Sequence, residues 1–178
     1  MGEILVLVEG ETDKGVITAI KEKLGISMEV RLMRGNRLKK IKGWIRTHRC
    51  KKYIVIKDLE RLSEETIRSK FNRILKSLDA HLRDKVKLVI VKPMIEAWFL
   101  ADLKAIENVY DCILVERIEN PEEIADPIEK LNELLRKCHK KYVKGQVIAK
   151  NIVENMNIGR AVKKATSLRD FIKTINDP

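Results

Sequence analysis

The apolar positions of this chain fall into short continuous runs separated by helical stripes. Residues 4–8, ILVLV, are an unbroken apolar run, the pattern of a strand buried on both faces. Glu9-Gly10-Glu11-Thr12-Asp13 ends the run, and Thr12 or Asp13 is placed to cap a helix. In that helix Val16, Ile17, Ile20 and Leu24 share one face, and Gly25 stops it. Residues 28–33 alternate, with Met28, Val30 and Leu32 facing one way, so a second strand is expected. After the Gly35-Asn36 turn, Leu38, Ile41 and Ile45, with His48 as a candidate fourth member, make a helical stripe, and the basic residues surround the remaining face.

The alternation repeats. Residues 53–56, YIVI, predict a third strand, and Ser63 then starts a helix with the stripe Ile67, Phe71, Ile74, Leu75 and Leu78. Residues 86–91 predict a fourth strand, stopped by Pro93, and helix resumes near Met94 with Ile95, Trp98, Phe99 and Ala101. The pattern is poor over 102–124, where a helix end and a loop are expected, with 112–115 as a candidate short strand. Three helices follow: one through Ile128, Leu131, Leu134 and Leu135, one through Val147, Ile148, Ile152 and Val153, and one through Ala161, Val162, Leu168 and Ile172.

Strands alternating with helices predict an α/β fold. The sheet should be open and mainly parallel, with four strands, or five if 112–115 adds one, and helices on both faces. Residues 1–110 are expected to form the α/β core and 111–178 a helical extension packed on it. At 178 residues, 44% hydrophobic and 35% charged, the chain has enough apolar content for one core and is no disordered tail. No apolar run reaches the roughly 20 residues of a membrane span. The acidic start, MGEILVLVEGE, does not read as a secretory signal, so the expectation is cytoplasmic. Cys50, Cys112 and Cys138 have neither paired nor zinc-type spacing, which argues against a disulfide framework and a zinc knuckle.

Charge changes the picture more than composition does. The formal net charge is +11, and residues 31–57 carry 11 basic side chains and no acidic one. A merely solvated helix interleaves both signs to gain i,i+4 pairs. An unbroken positive stretch instead attracts phosphate backbones or anionic lipid heads. Arg34, Arg37, Lys39, Lys40, Lys42, Arg46 and Arg49, with Arg61 beyond the third strand, are therefore the candidate nucleic-acid contacts. Trp44 could stack on a base or serve the core.

The acids sit at strand ends. Glu9 follows the first strand, Asp58 and Glu60 follow the third, and Glu96 lies just past the fourth; Glu11 and Asp13 are close by in sequence. In an open parallel sheet the carboxyl ends of the strands emerge along one edge, where sites form. Crowded carboxylates repel unless a proton or metal intervenes, and hard oxygen ligands suit Mg²⁺ or Mn²⁺. No glycine-rich phosphate loop follows the first strand, which argues against a nucleoside triphosphate as substrate. Lys57 should point away from Asp58 along the strand, out of the site.

VLVEGETD at the first strand and IVIKDLER about 45 residues later resemble the Toprim domain of topoisomerases, bacterial primases and OLD-type nucleases. PMIEAWFLAD and TSLRDFI are similar to segments of a group of small Toprim-like proteins with an E-A-W-x-L-A-D motif. The resemblance implies that Glu9 is an acid–base group or metal ligand. It implies that Asp58 and Glu60 are the metal-binding acidic pair, with Glu in place of the usual second Asp. Glu96 is the additional acid of the smaller group, and Ser167 and Arg169 enter through resemblance alone. No tyrosine stands where a topoisomerase nucleophile would.

The function expected is a metal-dependent phosphodiester hydrolase, nuclease-like, with Glu9, Asp58, Glu60 and Glu96 as catalytic and metal-holding residues and Mg²⁺ or Mn²⁺ as cofactor. Its partners would be nucleic acid, DNA or RNA, with a partner ATPase as a further candidate, and no membrane. The alternative is a non-catalytic nucleic-acid-binding subunit working with such an ATPase. A receiver-like signalling domain also uses acids at strand ends, but no strand-five lysine is visible for it.

Overall fold

The structure, a computed structural model, describes residues 3–33 and 38–177. Its strands are β1 (Ile4–Val8), β2 (Met28–Leu32), β3 (Lys52–Asp58) and β4 (Val86–Val91). They form one sheet of order β2-β1-β3-β4, with all three pairings parallel. Helix α1 (Glu11–Leu24) links β1 to β2, α2 (Ile41–Thr47) precedes β3, and α3 (Glu64–Lys76) with the short α4 (Ala80–Arg83) leads into β4. Beyond the sheet come α5 (Glu96–Leu100), α6 (Leu103–Tyr110), α7 (Pro127–Arg136), α8 (Gln146–Asn155), α9 (Ile158–Lys164) and α10 (Thr166–Asn176). This is the α/β architecture expected, with four parallel strands and C-terminal helices.

Side-chain parity divides the core. Val6, Val8, Ile54, Ile56, Val89 and Val91 face the cluster that contains Val16 and Ile20 of α1, Trp98 and Phe99 of α5, and residues of α6 to α10. Leu5, Leu7, Tyr53 and Val55 face Ile41 and Ile45 of α2 and Phe71 of α3. Both sheet faces are thus covered, which is why β1 and β3 read as continuous apolar runs. Burying each large aliphatic side chain contributes about 1.5–3 kcal/mol relative to exposure.

Helices α1 and α8 approach closely. A Cβ on Gly15 would stand 2.3 Å from the carbonyl oxygen of Gln146, so α1 and the start of α8 touch through backbone. Gly25 ends α1 at φ 64°, the left-handed conformation glycine adopts without a Cβ penalty. Ser63 caps α3 by accepting from Thr66 N–H, as its position predicts.

Several expectations are corrected. Neither Thr12 nor Asp13 is the cap of α1; the chain enters at Gly10, and Asp13, one turn in, reaches back to it. Leu24 is 39% exposed and not part of the buried stripe. The poor stretch 102–124 contains a helix, α6, whose eight residues are too few to show a clear period. Among the described residues 112–115 pair with no strand, although Cys112 and Leu114 are buried while Ile113 and Val115 are exposed. The last stripe belongs to two helices, α9 and α10, separated at Ala165. Cys112 and Cys138 are joined in a disulfide with Cα atoms 5.9 Å apart, where the spacing suggested none. Cys50 is free. No helix among the described residues is long and apolar enough to cross a membrane.

Candidate active site

The strand order reverses direction between β1 and β3. Crossover α1 carries the chain from β1 to β2 on one side, and the later strands add on the other. Ligands of open parallel sheets bind at this switch point, outside the carboxyl ends of the strands. Glu9 follows β1 directly and Asp58 closes β3, so both flank the switch point. Asp58, expected just after the strand, is its last residue.

A cleft of about 420 Å³ opens here, lined by Glu9, Asp13, Asp58 and Glu60 with Glu11, Thr12, Lys144 and Gly145. Glu96, at the first turn of α5, lies beneath and is only 1% exposed. Three of the four acids named from sequence are enclosed at one sheet edge. Glu60 is an exposed rim residue at φ 48°, its N–H donating to the Pro93 carbonyl at 2.8 Å.

Each acid has different company. Glu9 meets the ammonium of Lys57, which stands 2.9 Å from Oε1 and donates to Oε2 at 3.2 Å. Lys57 is 1% exposed. It does point away from Asp58, as strand alternation requires, yet it belongs to the site. Leu7 pairs with Val55 across β1 and β3, so two residues on, Glu9 comes level with Lys57. Asp13 accepts from the Gly10 N–H at 3.0 Å and the Glu9 N–H at 3.2 Å. Glu96 Oε1 accepts from the Tyr142 hydroxyl at 3.2 Å and lies 3.3 Å from Lys144 Nζ. Among the described residues no cation pairs with Asp58: its Oδ1 is sealed from solvent without a hydrogen-bond partner, and so is Oε2 of Glu96. Glu9 Oε1 has only its ionic contact with Lys57, outside hydrogen-bond geometry.

Electrostatics follow from this crowding. Burial pushes the Asp58 carboxyl well above the usual carboxylate range, and the charges of Asp13, Glu96 and Glu9 push it further. Burial likewise raises Asp13 to about 6, against the pull of the Gly10 N–H. Glu9 is raised by burial, although Lys57 opposes the shift. Burial beside the Glu96 charge holds the Tyr142 hydroxyl protonated, so it donates. These shifts mark carboxylates forced together in a poorly solvated place, the environment of a cation site or an acid–base site.

Among the described residues no three acid, imidazole or thiol side chains are already gathered into a cage that could hold a metal ion. The donor chemistry nevertheless suits a hard divalent cation. The sealed oxygens of Asp58 and Glu96 lack partners, and all the donors are oxygens.

Sequence reasoning missed Lys57, Tyr142 and Lys144. The latter two arrive from the segment between α7 and α8, more than 40 residues beyond Glu96, and no local pattern signals that return. Trp98 is buried in the core. Its indole N–H donates to Ser167 Oγ at 2.8 Å, and Ser167 Oγ in turn donates to Glu122 at 2.5 Å. Asp102 accepts from the Asn157 N–H at 2.7 Å and pairs with Arg160 at 3.3 Å. The motif around Glu96 thus places one acid beneath the cleft and uses Trp98 and Asp102 to fasten the C-terminal helices.

The basic block is partly visible. Lys40, Arg46, Arg49 and Arg61 are exposed and Lys42 is half-buried, whereas Arg34, Arg37 and the Lys39 side chain lie outside the described residues. Beside the carboxylate cleft, a groove of about 410 Å³ is lined by Lys14, Arg31, Met33, Lys40 and Trp44. Trp44 is half-buried and also packs on the core, so neither reading of it is displaced. Arg169 is exposed on α10.

The C-terminal region of the Burkholderia pseudomallei OLD protein resembles this chain with a TM-score of 0.59 at 19% identity, over 99% of this chain and 98% of that one. The C-terminal region of the Xanthomonas campestris pv. campestris OLD protein gives a TM-score of 0.48 at 14% identity, over 98% of this chain and 96% of that one. The first of these likenesses shows a shared fold over the full length. A search of curated proteins finds no match. A family model described as a domain of unknown function, DUF4276, matches residues 8–176, from the end of β1 through α10, and the chain belongs to that family.

Proposed function

We propose that the chain is a metal-dependent phosphodiester hydrolase, nuclease-like, acting on nucleic acid at the carboxyl edge of its sheet. The observation that carries this reading is the enclosed group of carboxylates at the switch point, with sealed, unpartnered oxygens on Asp58 and Glu96. The adjacent basic surface and the fold shared with an OLD C-terminal region support it. In this reading residues 1–110 form the catalytic core and 111–178 a helical extension that lends Tyr142 and Lys144 to the cleft.

Asp58 and Glu96 would hold Mg²⁺ or Mn²⁺, with Glu60 joining from the rim. Such an ion, when bound, supplies positive charge to a phosphodiester oxygen. Glu9, its carboxyl raised by burial, receives and returns a proton at the attacking water. Lys144, 55% exposed at the mouth, meets the incoming phosphate. The basic surface holds the flanking backbone. A partner ATPase belongs to this proposal only as an accessory.

The test is divalent-dependent cleavage of plasmid, single-stranded DNA and RNA by the purified chain. Glu9→Gln should lower the rate by about 10²-fold or more, the scale of a lost acid–base group, while nucleic-acid affinity holds or rises. Wild-type protein inert on every substrate, with and without a partner ATPase, would leave the non-catalytic binding subunit as the function.

A further inference from the structure

Lys57 is the most enclosed cation in the protein's candidate site, and the hydrolytic scheme gives it no step. It is 1% exposed, its stem lies on the sheet face covered by α2 and α3, and its ammonium meets Glu9 at 2.9 and 3.2 Å from the two oxygens. A buried charge is costly unless paired, so this lysine is held by its carboxylate and the carboxylate by the lysine. Both oxygens of Glu9 are therefore turned toward a fixed positive charge.

The partners of the enclosed carboxylates divide them. Glu9 has Lys57, Glu96 has Lys144 and Tyr142, and Asp13 has two backbone N–H groups. The sealed oxygens without partners are on Asp58 and on the far side of Glu96. A second divalent ion near Glu9 would have to displace or crowd an ammonium that has no route to solvent.

We propose that Lys57 is a positioning residue that occupies, as a built-in cation, the place of a second metal, so that the site takes one divalent ion per chain. This rests on the metal-dependent reading above. Glu9 is thereby fixed in orientation and kept out of the ligand set, free for proton transfer.

Stoichiometry tests it without reference to activity. Mn²⁺ binding to the full chain, followed by titration calorimetry and by the electron paramagnetic resonance of free Mn²⁺, should give one ion per chain. Lys57→Met should admit a second Mn²⁺, and Lys57→Arg, which keeps the charge, should return the count to one. A lysine that served only packing would leave the count unchanged in Lys57→Met, and that result would overturn the proposal. Two Mn²⁺ ions of similar affinity in the wild type would overturn it while leaving the phosphodiesterase intact. No Mn²⁺ at all would overturn both. Should Lys57→Met lose its circular dichroism signature of folding, Lys57→Gln, which removes the charge and keeps a donor toward Glu9, takes its place with the same two outcomes.

Discussion

The Tyr142 hydroxyl donates to Oε1 of Glu96 at 3.2 Å and so ties the segment before α8 to the start of α5. The bond joins two buried groups, and its acceptor is an acid that is 1% exposed. Tyr142→Phe keeps the ring, including its edge contact with Phe99, and removes only the donor. The loss should cost about 1–3 kcal/mol, the usual penalty for leaving a buried acceptor short of a partner. Urea denaturation followed by circular dichroism measures it. A change below about 0.5 kcal/mol would mean that water or Lys144 replaces the hydroxyl.

The carboxylate cluster should make stability depend on pH in a stated direction. Asp13 is raised to about 6 and Asp58 is raised well above its ordinary value, in both cases chiefly by burial. A raised folded-state value means that the native chain holds the proton when the unfolded chain has lost it. The stabilisation is present below the unfolded value near 3.8 and is lost as pH rises through about 6 for Asp13. The Asp13 contribution lost across that window is of order 3 kcal/mol. Denaturation midpoints at pH 4, 5, 6 and 7 should fall with pH, and the fall should flatten in Asp13→Asn. Mg²⁺ added at pH 7 should recover part of the loss, because a ligand that binds only the folded state stabilises it.

The sheet was legible because β1 and β3 are buried on both faces and read as unbroken apolar runs. The positions of Glu9 and Asp58 followed from those runs, and that of Glu96 from the fourth run and the helix after Pro93. Lys57 was not legible in the same way. Its direction relative to Asp58 could be read from alternation, but its closeness to Glu9 depends on the β1–β3 register, Leu7 opposite Val55, which no local pattern records. Tyr142, Lys144 and the Cys112–Cys138 bridge share that obstacle, since each is a contact between segments distant in sequence. Helix α6 failed for the opposite reason: it is local, but eight residues carry barely two turns of period.

Gly15 offers a test of how the C-terminal helices sit on α1. A methyl group there would meet the Gln146 carbonyl at 2.3 Å, and that obstacle is backbone, unable to rotate away. Gly15→Ala should push α8 outward and cost about 1–3 kcal/mol, the usual scale of overpacking, despite alanine's better helix propensity. Thermal unfolding should show a fall of roughly 2–4 °C per kcal/mol for a chain of this size. An unchanged or raised midpoint would show that α1 and α8 pack less closely than this.

The Cys112–Cys138 bridge closes a loop with a sequence separation of 26, from the end of α6 to just past α7. Loop-closure entropy assigns such a bridge about 3.5 kcal/mol. Intact mass with and without alkylation should report one bridge and one free thiol, Cys50. Cys112→Ser should lower the urea midpoint by an amount that dithiothreitol matches in the wild type. Equal stability of oxidised and reduced wild-type protein would remove the bridge from the account of the fold.

The basic surface makes a prediction independent of catalysis. Arg46, Arg49 and Arg61 are exposed, and no acid occurs between residues 31 and 57 to neutralise the first two locally. If these side chains meet phosphates, each releases about 0.9 counterion on duplex DNA, so converting all three to Gln should flatten the slope of log K against log salt by up to about 2.7. The weakening should be similar for unrelated sequences, because backbone contacts carry no base information. On a single strand the change should be smaller, about 0.7 per residue. Glu9→Gln gives the matching control at the cleft: it removes a negative charge beside the phosphate path, so affinity should hold or rise. A salt slope unchanged by the triple substitution would assign these arginines to solubility, and the nucleic acid would then have to approach over Lys14 and Arg31 in the groove beside Trp44.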